Sequence, residues 1–453
     1  MQPEPRFLLA CVLASALPLA GAVEPTPPPR TNVIIMLADD LGYGDLGIQG
    51  CTDIPTPNID SIARNGVRFT AGYVSAPVCS PSRAGLMTGR YQTRFGHEFN
   101  HPLADRSPVG LPAGEKTFAT WMQDAGYVTG HIGKWHLGNP KLPQFAPRNR
   151  GFTWDVWFPG QAKLPPLTLY RDGMPEKADD RYVDAAMARE AAAFIRRHEA
   201  KPWFLYIGFL TPHEPLLTPA GADLPFTGIA NQPRRKCATM VSLLDDSVGQ
   251  VLRAIRESGQ EQRTLVVFLS DNGAPPKNGS RNGPFRGGKG STWEGGIREP
   301  FVMQWPGMIP GGQVIDQPVI SLDLLPTSLG AAGITPPPDS ALDGVDLLPR
   351  VTGRASAPPH RALFWRFGDK MAVRMGDWKL VRAEAADTHP PTLTTGLFNL
   401  AQDPGEQHDL AKAEPGRMVE LQAAWDAWNA GNVAAKWTST SHEDEAPGPL
   451  KGR

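Results

Sequence analysis

Short, continuous runs of hydrophobic residues recur along the chain, and each of them is followed by a cluster of polar residues. Four runs have the length of a buried strand and cover residues 32–37, 127–132, 203–209 and 264–269. A strand that is hydrophobic on both faces is typical of the interior of a parallel sheet covered by helices on both sides. The pattern therefore predicts four interior strands.

Amphipathic segments with helical spacing precede three of these runs. They cover residues 115–125, 181–199 and 236–258, and the first and last are followed by Gly126 and Gly259. Glycine is the residue that most often ends a helix in the left-handed conformation. Alternating helices and buried strands predict an α/β fold with a large, mostly parallel or mixed sheet flanked by helices.

Polar clusters follow all four predicted strands. In chain order they read Asp39-Asp40, Gly133-Lys134-Trp135-His136, Thr211-Pro212-His213 and Asp271-Asn272-Gly273. Ligands of open α/β sheets bind outside the carboxyl ends of the strands. We therefore expect the clusters to meet in one functional site, although any one of them alone can also be an ordinary polar loop.

The pattern changes beyond about residue 355. Segments 362–367, 371–375 and 378–382 alternate between hydrophobic and polar residues and are separated by Gly-Asp pairs, which predicts antiparallel hairpins. Segment 397–400 is a further candidate strand and 418–430 a candidate helix. We predict a larger domain at residues 30–355, a smaller C-terminal α+β domain with an antiparallel sheet at 356–437, and a disordered tail at 438–453.

The N-terminus is typical of an export signal. Arg6 precedes an apolar run at 7–20, and Ala20-Gly21-Ala22 supplies the small residues of a cleavage site. The run is shorter than the ~20 residues that a membrane-spanning helix needs. We predict that residues 1–22 are removed and that the mature chain is exported without stable membrane insertion.

Charge and cysteine content exclude two classes of protein. The 453 residues carry a formal net charge of −1, which gives no electrostatic reason to expect nucleic acid as a partner. Four cysteines cannot form a disulfide scaffold in so long a chain. Cys51 and Cys237 can pair or remain free, and the sequence leaves both possibilities open.

The acidic clusters supply the chemistry of a metal site. Carboxylate and amide oxygens suit a hard cation, Ca²⁺ or Mg²⁺, rather than zinc. A lone Asp-Asp pair is more typical of a solvated turn, but a second acidic cluster after another strand favours a metal. The candidate ligands are Asp39, Asp40, Asp271 and Asn272.

Cys79 has a distinctive position. Pro81 suits the first turn of a helix, which places Cys79 at the helix N-terminus. Negative charge is favoured there. The residue types alone leave two interpretations, a reactive thiol and a small buried hydrophobic residue.

Six motifs together resemble the type I formylglycine-dependent sulfatases, which have an alkaline phosphatase-like fold. The family's first signature is similar to Cys79-Ser80-Pro81-Ser82-Arg83-Ala84-Gly85-Leu86-Met87-Thr88-Gly89-Arg90, and its second to Gly133-Lys134-Trp135-His136-Leu137-Gly138. The others are, in the family's order, Asp39-Asp40, Thr211-Pro212-His213, Asp271-Asn272-Gly273 and Gly288-Lys289 with Glu294-Gly295-Gly296. The resemblance extends from Asn32 to about Leu400. It is strongest for arylsulfatases and N-acetylgalactosamine-6-sulfatase-like carbohydrate sulfatases.

The resemblance implies that a maturation enzyme oxidises Cys79 to Cα-formylglycine, because the Cys-x-Pro-x-Arg core is complete. The hydrated aldehyde is expected to bind the cation, so Cys79 counts among the metal ligands. One hydroxyl would attack sulfur and form a covalent sulfate ester, and the second would let that ester collapse by elimination.

The resemblance also assigns roles to five further side chains. Arg83 would steady the diol, and Lys134 and Lys289 would neutralise oxygens of the transferred sulfuryl group. His136 would take the proton from the second hydroxyl. His213 would help to protonate the leaving alcohol.

The implied substrate is a sulfate monoester on a sulfated saccharide, or an aryl sulfate. Loop residues that could line a site for an anionic sugar are Arg94, His97, His101, Trp154, Trp157 and Arg171. Two alternatives remain. A phosphodiesterase or phosphonate monoester hydrolase of the same superfamily can share the fold and the formylglycine, whereas an inactive binder of sulfated glycans is disfavoured by the complete motif set.

The sequence also bears on location. The lone glycosylation sequon, Asn278-Gly279-Ser280, lies in a glycine-rich loop close to the predicted site, where a glycan would be awkward. This favours a protein of the bacterial periplasm or extracellular space. For a eukaryotic source, a lysosomal or secretory location is expected.

Overall fold

The computed structural model describes residues 30–101, 108–161, 163–385 and 392–438. The predicted signal peptide and all but residue 438 of the predicted tail lie outside these ranges. The helices are α1 (Pro57–Arg64), α2 (Cys79–Thr88), α3 (Phe118–Asp124), α4 (Val183–Arg197), α5 (Gln232–Glu257), α6 (Glu294–Ile297), α7 (Leu324–Ala331), α8 (Leu348–Val351) and α9 (Pro415–Asn429). No helix in this part of the chain is both long and apolar enough to cross a membrane.

The strands form a large mixed sheet and two smaller ones. They are β1 (Asn32–Asp39), β2 (Val67–Phe69), β3 (Gly72–Tyr73), β4 (Val128–Gly133), β5 (Trp154–Trp157), β6 (Leu167–Arg171), β7 (Met174–Ala178), β8 (Trp203–Pro212), β9 (Thr264–Ser270), β10 (Phe301–Gln304), β11 (Gln313–Ile315), β12 (Val319–Ile320), β13 (Leu363–Phe367), β14 (Lys370–Met375), β15 (Trp378–Glu384) and β16 (Leu393–Asn399). Within the described ranges, the large sheet has ten strands in the order β11-β2-β10-β9-β1-β8-β4-β5-β6-β7.

The four strands predicted from hydrophobic runs are confirmed, and they are neighbours. They form the block β9-β1-β8-β4, in which every pairing is parallel. On one side of this block, β10 pairs antiparallel with β9. On the other side, β5 pairs parallel with β4, and β6 then pairs antiparallel with β5. The carboxyl ends of all four predicted strands therefore lie at one edge of the sheet.

The continuous hydrophobic character of β1 has a direct cause in packing. Ile34 and Met36 belong to the core that α4 and α5 cover, whereas Val33, Ile35 and Leu37 belong to the core on the opposite face, with α2, α3 and α7. Both faces of the strand are thus removed from water, which is the main stabilising contribution for such a sheet. The predicted α/β layering is confirmed.

Helix ends follow the local sequence, although the starts of α3, α5 and α9 differ from the predicted ones by three or four residues. Gly126 and Gly259 have φ values of 83° and 67°, as predicted for glycines that end helices. Helix α5 begins at Gln232 rather than near residue 236. The side chain of Asn231 accepts a hydrogen bond from Arg234 N at 2.9 Å, and Pro233 occupies the first turn. These are favourable starting residues that the hydrophobic spacing did not reveal.

The C-terminal region forms the predicted antiparallel sheet. Strands β13–β16 pair in sequence order, and α9 packs against β14 and β15. This sheet also contacts the rest of the molecule: Trp365 donates from Nε1 to the carbonyl of Val74 at 2.7 Å.

Cysteine pairing is settled by the structure. Cys51 and Cys237 are both free. Cys237 is buried on α5, and the Cys51 thiol lies 3.2 Å from Oδ1 of Asp53.

Candidate active site

The site begins with Cys79, which is the first residue of α2 and almost fully buried. Val78 before it is extended, and Pro81 lies in the first turn, so the predicted helix start is observed. The sulfur is 3.4 Å from Oδ1 of Asp39 and 3.7 Å from Oδ1 of Asp40. Burial, and next the charge of Asp271, raise the pKa of the thiol well above its usual value. The unmodified residue is therefore a neutral thiol, which is a poor nucleophile.

The ends of β1 and β9 bring the acidic residues together. Asp39 is the last residue of β1, and Asp40 follows with a φ of 63°. The backbone N–H of Asp40 donates to Oδ1 of Asp271 at 3.2 Å. Nδ2 of Asn272 donates to Oδ1 of Asp40 at 2.7 Å.

Arg83 connects helix α2 to the polar residues that follow β9 and β4. It lies one turn after Cys79 on α2 and is fully buried. Its Nε and Nη2 contact Oδ2 of Asp271 at 2.8 and 2.7 Å. Its Nη1 donates to the carbonyl of Lys134 at 3.0 Å and to the hydroxyl of Tyr206 at 3.3 Å.

Two lysines complete the charged cluster. Lys134 donates from Nζ to both oxygens of Asp39, and Lys289 donates to Oδ2 of Asp40 at 3.0 Å. Burial opposes the charge of each lysine, but the adjacent carboxylate outweighs it and raises the pKa of Lys134 and, further, of Lys289. Burial likewise opposes ionisation of Asp39, yet Lys134 above all holds its pKa well below the usual range. Lys134, Lys289 and Asp39 are therefore charged at neutral pH.

His213 has a fixed orientation. Its Nδ1 lies 2.6 Å from the carbonyl of Glu214, so Nδ1 carries the proton that is donated there. Nε2 is left facing Oδ2 of Asp40 at 3.6 Å and Nζ of Lys289 at 3.2 Å.

His136 is tied through its backbone to Ser80, the residue after Cys79. It has a φ of 56°, and its carbonyl accepts a hydrogen bond from the Ser80 hydroxyl at 2.6 Å. Both ring nitrogens are buried and make no hydrogen bond within the described ranges. Burial, and next the charge of Lys134, hold the pKa of His136 well below its usual value. Its imidazole is therefore neutral and can accept a proton.

The donor set fits a hard cation. Oδ1 of Asn272 is buried and has no hydrogen-bond partner among the residues that the structure describes. Buried polar atoms normally have a partner, and a bound cation would supply one here. The potential ligand atoms of Asp39, Asp40, Cys79 and His213 lie within 4.8 Å of one another. Asp271, which the sequence analysis placed among the ligands, is paired here with Arg83. Ten residues were predicted for catalysis or metal binding, and these direct contacts connect all of them except His136.

Supporting residues were not evident from the sequence. Tyr206 lies in a buried strand and is indistinguishable from a core residue. Ser80 is part of the Cys79 motif, and its hydroxyl lies 2.7 Å from Nε2 of His97. A signal for Ser80 existed in its position next to the nucleophile, but its partner could be found only in three dimensions.

Most of the loop residues suggested for a sugar site have other partners. His97 is fully buried against Ser80, so it cannot line an open sugar site, and that expectation is wrong. Arg94 pairs with Asp343, and Trp157 stacks on Tyr170. Arg171 pairs with Glu176 and Glu190 and lies over the Trp154 ring. His101 is next to the site, because its ring centroid is 5.0 Å from that of His136.

The sequon is not available to a glycan in this fold. Asn278 is almost fully buried, and its Oδ1 accepts a hydrogen bond from Ser280 N at 2.9 Å.

Comparison with known proteins gives one consistent answer. The sulfatase family model matches residues 31–334, and a model described as N-sulphoglucosamine sulphohydrolase, C-terminal, matches residues 288–424. The chain is 35% identical to N-acetylgalactosamine-6-sulfatase of Canis lupus familiaris over 92% of its own length and 87% of that protein. It is 33% identical to human arylsulfatase A, covering 90% and 88%.

Solved structures agree. The crystal structure of Ps i-CgsB superposes with a TM-score of 0.84 at 33% identity, covering 90% of this chain and 94% of that one. A second structure of that protein, in complex with k-i-k-neocarrahexaose, superposes with a TM-score of 0.83. Together with the site geometry, these matches show that the chain belongs to the sulfatase family: it is a sulfuric ester hydrolase with an alkaline phosphatase-like fold.

Proposed function

We propose that this protein hydrolyses sulfate monoesters on sulfated saccharides, and that it does so at Cys79 after conversion of that residue to formylglycine. The observation that carries the proposal is the charge arrangement around Cys79. Arg83, Lys134 and Lys289 face three buried carboxylates there. Such a pocket can hold a hard cation and an anionic group side by side.

The chain's own residues divide this work. Lys134 and Lys289 bind and neutralise oxygens of the sulfate group, and Arg83 steadies residue 79 one helical turn away. In its hydrated form, formylglycine would supply the hydroxyl that attacks sulfur. A divalent cation would polarise a sulfate oxygen and lower the pKa of the attacking hydroxyl. Ca²⁺ or Mg²⁺ would be held by Asp39, Asp40, residue 79, Asp271 and Asn272.

The two histidines move protons. His213 presents Nε2 beside Lys289, because Nδ1 is committed to the Glu214 carbonyl. With both ring nitrogens protonated, His213 would pass the Nε2 proton to the oxygen of the leaving alcohol and keep the Nδ1 proton on the Glu214 carbonyl. His136 is neutral and has free ring nitrogens within the described ranges, so it is suited to accept the proton of the second hydroxyl.

The relatives support a saccharide substrate. One is named for N-acetylgalactosamine 6-sulfate chemistry, and a solved relative holds a neocarrahexaose. We also infer that the protein is exported after removal of residues 1–22 and that it depends on a formylglycine-generating or equivalent enzyme. N-terminal sequencing of the secreted protein would test the cleavage site.

Peptide mass mapping tests whether residue 79 is the nucleophile. Peptide mass mapping should find an aldehyde at residue 79 but thiols at Cys51 and Cys237, which serve as internal controls. An unmodified thiol at residue 79 of active protein would refute the mechanism. Cys79→Ala provides the inactive reference.

Substrate comparison tests the activity class. We expect faster turnover of 4-nitrophenyl sulfate than of its phosphate and phosphonate analogues, followed by activity on a panel of sulfated galactose, galactosamine and glucosamine saccharides. Preferred turnover of the phosphonate would instead indicate a phosphonate monoester hydrolase. Saccharide binding without turnover would indicate an inactive binder.

A further inference from the structure

Lys289 is carried by a loop that lies between two layers of the molecule. We call residues 286–298 the lysine loop. On its inner side, the loop contacts the segments that carry the metal-site residues and Cys79: Gly290 N donates to the Pro77 carbonyl at 2.9 Å, and Lys289 N donates to the Ala274 carbonyl at 3.1 Å. The approach is so close that a Cβ on Gly273 would lie 1.9 Å from the carbonyl oxygen of Gly295. The inner side therefore has no room for another residue type at position 273.

The outer side of the lysine loop is held by the C-terminal sheet. Lys370, at the start of β14, donates from Nζ to the carbonyl of Gly290 at 2.9 Å, directly after Lys289. Lys370 also pairs with Glu384 of β15 at 2.9 Å. The Glu384 carbonyl in turn accepts a hydrogen bond from Nε1 of Trp293 at 3.0 Å.

A buried ionic network fixes the far end of the loop. Glu294 accepts a hydrogen bond from Nζ of Lys379 on β15 at 2.9 Å. Lys379 also contacts Glu406 at 2.8 Å, and Glu406 accepts from the backbone N–H of Glu294 at 2.7 Å. All three side chains are fully buried. Removing one partner of such a network would leave a buried charge unpaired, so separating the loop from the sheet is energetically costly.

We propose that the C-terminal sheet is a positioning element for Lys289, with Lys370 and Glu294 as the positioning residues. The Lys370 bond to Gly290 and the Glu294 network hold the lysine loop against the active site, so that the Lys289 ammonium stays beside Asp40 and His213. This inference rests on the proposed function, in which Lys289 binds the sulfate group. It also gives a role to the Glu294-Gly295-Gly296 motif, which supplies no reacting group.

A double-mutant cycle tests whether Lys370 acts through Lys289. A displacement of about 1 Å in a positioning group can cost up to ~100-fold in rate. We expect Lys370→Met to lower kcat/KM for 4-nitrophenyl sulfate by about 10- to 100-fold in the wild-type background and to have little effect in Lys289→Ala. An equal loss in both backgrounds, or no loss in either, would overturn the proposal.

Two variants serve as controls. Lys370→Arg keeps a donor for the Gly290 carbonyl and should retain more activity than Lys370→Met. Arg382 lies on the same sheet, and its side chain bonds to the carbonyl of Asp369 and makes none of the contacts to the loop described above. Arg382→Met should therefore leave activity unchanged. If Lys370→Met does not fold, the isosteric variant Thr292→Val replaces it in the double-mutant cycle. This variant removes the hydrogen bonds from the Thr292 hydroxyl in the loop to the carbonyls of Met371 and Arg382.

Hydrogen exchange separates this inference from the proposed function. In Lys370→Met, peptides covering the lysine loop should exchange faster, while peptides of β1 and β8 should not change. Unchanged exchange in the loop would overturn the proposal. Full activity of Lys289→Ala alone would refute the assigned role of Lys289 in sulfate binding, and hydrogen exchange would then decide by itself whether the sheet holds the loop.

Discussion

Lys134 donates from Nζ to both carboxylate oxygens of Asp39, to Oδ1 at 2.9 Å and to Oδ2 at 2.8 Å. A lysine in this position has two effects. It keeps a buried carboxylate ionised, and it provides a positive charge for an incoming sulfate group.

Replacing Lys134 by Met should therefore impair catalysis more than folding. The methionine keeps most of the volume but loses the charge that would stabilise the transferred sulfuryl group, so we expect kcat/KM for 4-nitrophenyl sulfate to fall about 100- to 1,000-fold. Lys177→Met on the exposed strand β7 is the matched control. Activity of Lys134→Met close to that of the control would contradict the assigned role.

Binding of a divalent cation should be measurable as a change in thermal stability, without any substrate. Ca²⁺ added to chelator-treated protein should raise the midpoint of thermal unfolding, because a ligand at 100 times its Kd stabilises the native state by about 2.7 kcal/mol. Asn272→Leu should abolish this increase, since it removes the unpartnered buried oxygen of Asn272. The exposed Asn149→Leu is the control, and an undiminished response of Asn272→Leu to Ca²⁺ would exclude Asn272 as a ligand.

The central strands could be predicted because their sequence is dominated by one requirement. Strands β1, β4, β8 and β9 are buried on both faces, so nearly every position is hydrophobic, and the parallel arrangement places their polar ends together. The β6–β7 hairpin was not predicted. Its positions 174–177 are exposed, and it carries Pro175 and charged residues in place of an alternating pattern.

The sequence could indicate which residues form the site, but not which of them contact one another. Spacing along the chain cannot indicate that Arg83 binds Asp271, 188 residues away. Nor can it show that His97 supports Ser80 rather than lining a sugar site, because a buried histidine and an exposed one look alike in sequence. The left-handed conformation of His136 likewise depends on contacts made after folding.

Asp184 should make stability depend on pH in an unusual direction. It is fully buried on α4, where it accepts hydrogen bonds from Leu210 N and the Thr211 hydroxyl. Burial, opposed by these bonds, raises the pKa of Asp184 to about 6. Between about pH 4 and 6, Asp184 is protonated in the folded state and ionised in the unfolded state. Raising the pH through this range therefore favours the unfolded state and lowers the free energy of unfolding. The effect is about 3 kcal/mol and is complete above pH 6.

Urea unfolding at a series of pH values checks this prediction. Asp184→Asn cannot titrate. The difference between its free energy of unfolding and that of the wild type should therefore increase, in favour of the variant, by about 2 kcal/mol between pH 4 and pH 7. The difference between the two proteins cancels the contributions of other groups. Asp339→Asn, at an exposed position, controls for the loss of one charge. Parallel curves for wild type and Asp184→Asn would show that the carboxyl does not hold its proton.

Ser80 should be required for turnover through its effect on His136. Its hydroxyl donates to the His136 carbonyl and is supported by His97, and it thereby holds His136 in a left-handed conformation that costs roughly 1–3 kcal/mol. Ser80→Ala removes the hydrogen bond to the His136 carbonyl. We expect kcat to fall about tenfold, because the imidazole of His136 is then misplaced. Ser80→Thr keeps the hydroxyl and should recover part of the loss, while Ser82→Ala tests the neighbouring serine of the same helix. Because these changes flank Cys79, the rates should be expressed per converted residue 79, measured by peptide mass. An unchanged kcat in fully converted Ser80→Ala would show that His136 needs no such support.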